Sequence, residues 1–147
     1  MPMCFAYGAN MDAAAMASRC PRSKAIGPAR LARLRFAIRP NGWGNVVFDP
    51  AQTVHGVLWD LDLADVAALD AFEEIDRGLY RKIVKPVVKT GGGSVQALIY
   101  VGAGEGGRPS ADYIAGIIAA ARAWDLPPRY IAELERFSTP RGKGRST

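Results

Sequence analysis

The chain has 147 residues, 49% of them apolar and 22% charged, with a formal net charge of +5. That length and balance give one globular domain with its own core, and exclude a disordered, fibrous or collagen-like chain. No apolar run approaches the roughly 20 residues of a membrane span, and two cysteines make no disulfide framework.

The first element is a short apolar run, Cys4–Tyr7, which reads as a buried strand. Gly8 breaks it, Asn10 and Asp12 are good N-cap types, and Ala13–Arg19 has helix-forming composition. A strand, a tight glycine turn and a helix start leave backbone N–H groups unpaired at positive potential. Such a place suits a carboxylate or phosphate; a purely structural turn is the ordinary alternative. Pro21–Pro28 reads as loop. Ala29–Ile38 reads as strand: Leu34, Phe36 and Ile38 alternate with Arg33, Arg35 and Arg39, so one face is apolar and the other basic. Pro40–Gly44 is a turn. Val46–Phe48 reads as a short strand stopped by Asp49-Pro50, and Val54–Leu61 as a separate, central one.

Asp62–Glu74 reads as a helix, with Asp62 as N-cap, Asp65 in its first turn, and Leu63, Val66, Ala67, Leu69 and Ala71 toward the core. Ile75–Gly78 is loop. Tyr80–Val88 and Val95–Val101 read as a hairpin turning at Thr90-Gly91-Gly92-Gly93. Gly102–Pro109 is a glycine-rich loop, and Ser110 caps the clearest helix, whose Ile114, Ile117, Ile118, Ala121 and Trp124 recur at helical spacing. A turn at Leu126-Pro127-Pro128 leads to a last helix ending near Phe137. The expected domain is therefore 1–137, followed by a loose basic tail, 138–147, carrying Arg141, Lys143 and Arg145. Six or seven strands and three or four helices in irregular order give an α+β fold with a mixed, partly closed sheet.

Four stretches, in order, carry a family resemblance. Phe5-Ala6-Tyr7-Gly8-Ala9-Asn10-Met11 resembles the N-terminal FAYGSNM signature of the γ-glutamylcyclotransferase-like family, which includes the AIG2-like proteins. His55-Gly56-Val57-Leu58-Trp59 resembles its "hGvlw" strand. Leu69-Asp70-Ala71-Phe72-Glu73, then Gly78-Leu79-Tyr80, resembles its LDxxEG…Y segment. Pro109-Ser110-Ala111-Asp112-Tyr113-Ile114, then Leu126-Pro127-Pro128-Arg129-Tyr130, resembles its PSxxY…GLPxxY tail. The resemblance spans nearly the whole chain and implies a small β-barrel with flanking helices.

Two adjacent glutamates, Glu73 and Glu74, end a helix, and the commoner fate of such a pair is a solvated surface. A carboxylate at a helix C-terminus, if also desolvated, moves toward neutrality and can serve as base and then acid. The resemblance aligns Glu73 with the family's catalytic glutamate, and Glu74 stands where the family usually has glycine. Tyr113, by its residue type alone an ordinary half-buried tyrosine, aligns with a substrate-binding tyrosine. Tyr80 reads as packing or a pocket wall. His55, the only histidine, lacks partners at metal-ligand spacing and reads as a structural strand residue. Gly102–Gly107 spells G-x-G-x-x-G after a strand, but Arg108-Pro109 follow where a dinucleotide-binding helix should open, so no cofactor loop is read there. Arg33, Arg35 and Arg39 are read as a solvated or ion-paired face, in preference to a nucleic-acid platform.

The resemblance implies an enzyme that cyclises a γ-glutamyl amide to 5-oxoproline and releases an amine or amino acid. No cofactor is implied. Glu73 is the expected proton carrier, and Tyr7, Gly8, Ala9, Asn10 and Tyr113 are the expected substrate contacts, with loops 41–45 and 102–108 around the amine half. Ala9 stands where the family usually has serine. The Ala9 and Glu74 departures keep open a non-catalytic binding protein for an amino-acid-like or anionic ligand. The start lacks a basic region, an apolar stretch and a cleavage site, so a cytoplasmic setting and no membrane are expected, while the resemblance implies a small-molecule γ-glutamyl partner. Oligomeric state is not legible.

Overall fold

A computed structural model describes residues 2–138. The basic tail, Ser138 apart, lies outside the described residues. The strands are β1 (Met3–Ala6), β2 (Lys24–Ile38), β3 (Gly44–Asp60), β4 (Arg81–Lys89) and β5 (Ser94–Val101). They close a barrel in the order β1-β3-β2-β4-β5. β1 is antiparallel to β3 but parallel to β5, where Cys4 sits opposite Leu98, so the sheet is mixed. Helices α1 (Ala13–Arg19), α2 (Leu63–Phe72), α3 (Ala111–Ala123) and α4 (Pro128–Glu135) flank it.

The sheet is fully closed and has five strands, fewer than the sequence suggests, because two are long. Lys24–Pro28, expected as loop, opens β2, and the two strands expected between Val46 and Leu61 are one. The reason is two irregularities in the β2–β3 ladder. Gly27, at φ 135°, absorbs the first shift. Arg33, left-handed at φ 70°, absorbs the second, where residues 49–52 bulge between the Leu34–Phe48 and Ala32–Thr53 pairs. Pro50 lies in that unpaired stretch, so its missing N–H removes no ladder bond. Beyond the bulge Phe36 and Ile38 are buried as the alternation predicts, but the basic residues do not share one solvated face. Arg35 ion-pairs with Asp49 at 3.4 Å and Glu105 at 2.5 Å, whereas Arg39 is buried beneath the Tyr80 ring.

α2 differs from its expected inward face. Leu69 is buried and Val66 half-buried, but Leu63 is 72% exposed and Ala67 and Ala71 face solvent. The inward position of the first turn belongs to Asp65, which accepts from the Arg22 N–H at 2.9 Å and the Ser23 hydroxyl at 2.8 Å. It thereby ties the segment after α1 to α2. Asp62 caps the helix by accepting from the Ala64 N–H at 2.8 Å.

α3 follows its pattern: Ser110 accepts from the Tyr113 N–H at 3.1 Å, and Ile114, Ile117, Ile118 and Ala121 are buried. Trp124, just past its end, donates through Nε1 to the Met11 carbonyl at 2.7 Å, fastening the helix to the turn that leaves β1. β1 in turn presses on β3 at Gly56, where a Cβ would lie 2.3 Å from the Ala6 carbonyl oxygen. Gly56→Ala should therefore cost about 2–4 kcal/mol in urea unfolding, or prevent folding. Gly116→Ala, on the exposed face of α3 with nothing within 4 Å, should instead stabilise by about 0.5–1 kcal/mol.

Candidate active site

Where β1 ends, the chain turns at Gly8 into a single 3-10 turn, Ala9–Met11, and then into α1. This turn faces the C-terminal end of α2 and the first turn of α3 across a cavity of about 240 Å³. Tyr7, Gly8, Ala9, Asn10, Glu73 and Tyr113 all line it, so the six residues singled out in the sequence come together from three separate segments.

Glu73 is the C-cap of α2, and Glu74 after it is left-handed at φ 55°. The position where the resemblance leads one to expect glycine therefore has the backbone that glycine favours. That backward twist sends the two glutamates apart. Glu74 ion-pairs with Arg77 at 2.6 Å, whereas Glu73 points to the turn after β1 and accepts from Asn10 Nδ2 at 3.3 Å through Oε2. Burial pushes the Glu73 carboxyl up from 4.5 to about 7, and the nearby Arg19 guanidinium pulls the other way.

Tyr113 is held by a clamp that the sequence does not announce. Its hydroxyl accepts from the Gly44 N–H at 2.8 Å, and the Tyr80 hydroxyl donates to the Gly44 carbonyl at 2.6 Å. The Gly44 residue is thus pinned on both sides, and a Cβ there would lie 2.9 Å from the Tyr113 oxygen. Because that oxygen already accepts from Gly44, its own proton must be directed elsewhere. Burial raises the Tyr113 hydroxyl to about 12, so it stays a donor at neutral pH. Tyr7 lines the cavity differently: its hydroxyl donates to the Tyr100 carbonyl at 2.5 Å and is used in the wall. The Cys4 thiol in the floor is raised by burial to about 12, which keeps it an unreactive thiol.

The outer wall departs from expectation. Trp43 and Gly44 line the cavity, as expected for loop 41–45, but no residue of 102–108 does; Phe72, Glu74 and Leu79 stand there instead. The glycine-rich loop is fastened elsewhere. Arg39 Nε donates to the Ala103 carbonyl, Asn45 Nδ2 to the Gly102 and Gly104 carbonyls, and the Gly107 N–H to Ile38. A Cβ on Gly107 would lie 1.9 Å from the Arg39 carbonyl oxygen, so this glycine serves close packing. His55 is half-buried on β3, with its ring 5.0 Å from that of Tyr130. Among the described residues no group of three His, Cys, Asp or Glu side chains is placed to hold a metal ion, and no helix is long and apolar enough to cross a membrane.

Sequence reasoning missed Arg19, which touches both the Asn10 amide and the Phe72 ring, and the Tyr80–Gly44–Tyr113 clamp. Tyr80 carried a weak signal as a possible pocket wall and Tyr113 one through the resemblance; Arg19, a lone cation at the end of a short helix, carried none.

Compared with known proteins, residues 53–134, more than half of the chain, match the sequence profile of the AIG2-like family. No curated protein sequence matches. Among solved structures, a γ-glutamyl cyclotransferase superposes with a TM-score of 0.87 at 22% identity, covering 99% of this chain and 93% of that one. YkqA from Bacillus subtilis superposes at 0.80 and 21% identity, covering 93% of this chain and 54% of that longer one. An AIG2-like protein from Mus musculus superposes at 0.57 and 20% identity, covering 72% and 80%. At these identities the superpositions show the fold.

The burial of Glu73 has a consequence for stability. Its carboxyl binds a proton more tightly folded than unfolded, so wild-type stability falls as pH rises from 4.5 through about 7. Glu73→Gln, which has no charge to bury, should match the wild type below the unfolded pKa. Above the folded pKa it should be more stable by roughly 2–3 kcal/mol, read by urea unfolding across that window.

Proposed function

The chain belongs to the AIG2-like family, and on that footing we propose that it is a γ-glutamylcyclotransferase-type enzyme. It cyclises a γ-glutamyl amide to 5-oxoproline and releases the amine half. The observation that carries this reading is geometric: the largely desolvated Glu73 carboxyl, pushed up to about 7, faces the same cavity as the oriented Tyr113 hydroxyl.

The chemistry asks for such a group. The substrate's α-nitrogen arrives as an ammonium and has no lone pair to attack with. Glu73, ionised above its pKa, takes one proton. The freed amine closes on the side-chain amide carbonyl, forming the new C–N bond of a five-membered ring and a tetrahedral oxyanion. When the oxyanion collapses, the old C–N bond breaks and Glu73 returns its proton to the departing nitrogen. Glu73, ionised again, takes the second proton from the ring nitrogen as the lactam forms, and the released amine departs as an ammonium once it has received both. A carboxyl near 7 is matched to this two-way transfer, whereas one near 4.5 would be a poor acid in the second half.

The remaining residues bind and fold the substrate. The N–H groups of Gly8, Ala9 and Asn10, at the start of the 3-10 turn, receive the α-carboxylate. Ala9 acts through its backbone, so its methyl in place of a hydroxyl is tolerated. The Tyr113 proton, directed away from Gly44, is donated to the glutamyl group. Holding a flexible glutamyl chain bent so that its ends meet supplies much of the rate, since orientation can be worth roughly 7–11 kcal/mol. The apolar rim of Trp43, Phe72 and Leu79 contacts the amine half.

The test is 5-oxoproline release from a panel of γ-glutamyl amino acids and γ-glutamyl amines. The wild type should release it. Glu73→Gln should lose about 10²- to 10⁴-fold in kcat, and Tyr113→Phe about tenfold in kcat/KM for one lost hydrogen bond. Full turnover by Glu73→Gln would sink the role of Glu73, and tight binding of the panel without release by the wild type would make the protein a binder.

A further inference from the structure

Arg19 lies outside every motif, yet it makes two specific contacts at the site. Its Nη1 donates to Asn10 Oδ1, and its guanidinium stacks on the Phe72 ring, 3.7 Å from the centroid. Phe72 is the residue immediately before Glu73. Arg19 makes no direct ion pair with Glu73; a buried asparagine stands between them, with Nδ2 3.3 Å from Glu73 Oε2.

A guanidinium has donors only, so its partner on the Asn10 amide must be the oxygen. Fixing the oxygen on the Arg19 side fixes the NH₂ on the Glu73 side. A free Asn amide could rotate by half a turn and present its oxygen to Glu73, which would favour the protonated carboxyl. With Arg19 in place, Oε2 receives an N–H and is the poorer site for a proton, leaving Oε1 as the oxygen that takes and returns one.

We infer that Arg19 is a positioning residue: through Asn10 it orients the donor on Glu73 Oε2 and assigns the proton shuttle to Oε1. The inference rests on the reading of Glu73 as the base. It also makes Arg19 the charge that limits how far burial can neutralise the carboxyl. The other groups facing Glu73 do not compete for that part. Cys4 and Tyr7 at β1, Tyr80, Tyr100 on β5 and Tyr113 on α3 are all raised by burial and stay uncharged at neutral pH. Of the carboxylates near by, Glu74 is paired with Arg77, and Asp70 lies between the Tyr100 hydroxyl and Lys82.

The experiment titrates Glu73 directly, by ¹³C NMR of glutamate-labelled protein assigned with Glu73→Gln, in the wild type, Arg19→Met, Arg19→Lys, Asn10→Ala and the Arg19→Met/Asn10→Ala double variant. The pH profile of kcat/KM for 5-oxoproline release is followed in parallel. Arg19→Met should raise the Glu73 midpoint by about one pH unit, a tenfold rise in proton affinity, and move the acid limb of the profile up with it. Arg19→Lys, which keeps the charge and a donor, should recover more than half of the shift. The two single shifts should not add in the double variant, because both remove one relay. An unchanged or lowered midpoint in folded Arg19→Met, or strictly additive shifts, overturns the relay. If Arg19→Met does not fold, Arg19→Gln and Asn10→Ala carry the same comparison. Should no variant, wild type included, release 5-oxoproline, the enzymatic reading fails, while the midpoints still decide the relay.

Discussion

Everything at this site depends on the desolvation of one carboxylate. A charge removed from water is costly, and proteins usually answer with an opposing charge in direct contact. Here the nearest cation, Arg19, is held one side chain away, behind Asn10. The result is a compromise between two opposing effects. Burial raises the Glu73 carboxyl and wins; the guanidinium lowers it and keeps the rise near neutrality. A direct Arg–Glu pair would hold the carboxyl ionised and weak as an acid. Without the cation the carboxyl would hold its proton to a higher pH and accept less readily at neutrality.

The fold is arranged to keep that compromise in place. β1 is only four residues long but is held on both sides, antiparallel to β3 and parallel to β5, and it meets β3 at a glycine too close for any side chain. The turn that follows it is fastened from the far side by Trp124. Asp65 anchors the chain after α1 to α2, which fixes the distance between Arg19 on one helix and Glu73 at the end of the other. Gly44, opening β3, is gripped by Tyr80 and Tyr113. Each functional side chain is therefore set by a contact to a different element, and α2 contributes its charge at the one place where its own backbone has run out.

Much of this was legible in the sequence where local chemistry decides structure. Ser110 before a 3.6-residue apolar pattern gave α3, and the triple glycine gave the β4–β5 hairpin. The order of four short stretches identified the residues that converge on the cavity. Reading failed where tertiary context overrides local preference. Pro28 and Pro50 suggested chain breaks, but a glycine bulge at Gly27 and a left-handed Arg33 let both strands run on. Leu63 was assigned inward by its apolarity, yet a buried Asp65 with two donors took that face. Arg39 reads as part of a solvated or ion-paired face and is buried instead beneath Tyr80. Arg19 was invisible because Phe72 meets it only when α1 and α2 pack side by side, and Asn10 only through the turn that precedes α1.

A carboxyl titrating near neutrality, Glu73, would carry the proton in the proposed reaction. The most direct measurement is the pH dependence of kcat/KM for 5-oxoproline release by the wild-type protein, using a γ-glutamyl substrate that does not itself titrate in the neutral range. If Glu73 carries the proton, the profile has an acid limb of unit slope with a midpoint near 7. A profile that stays flat down to the ordinary carboxylate range, with its limb near 4.5, would contradict it.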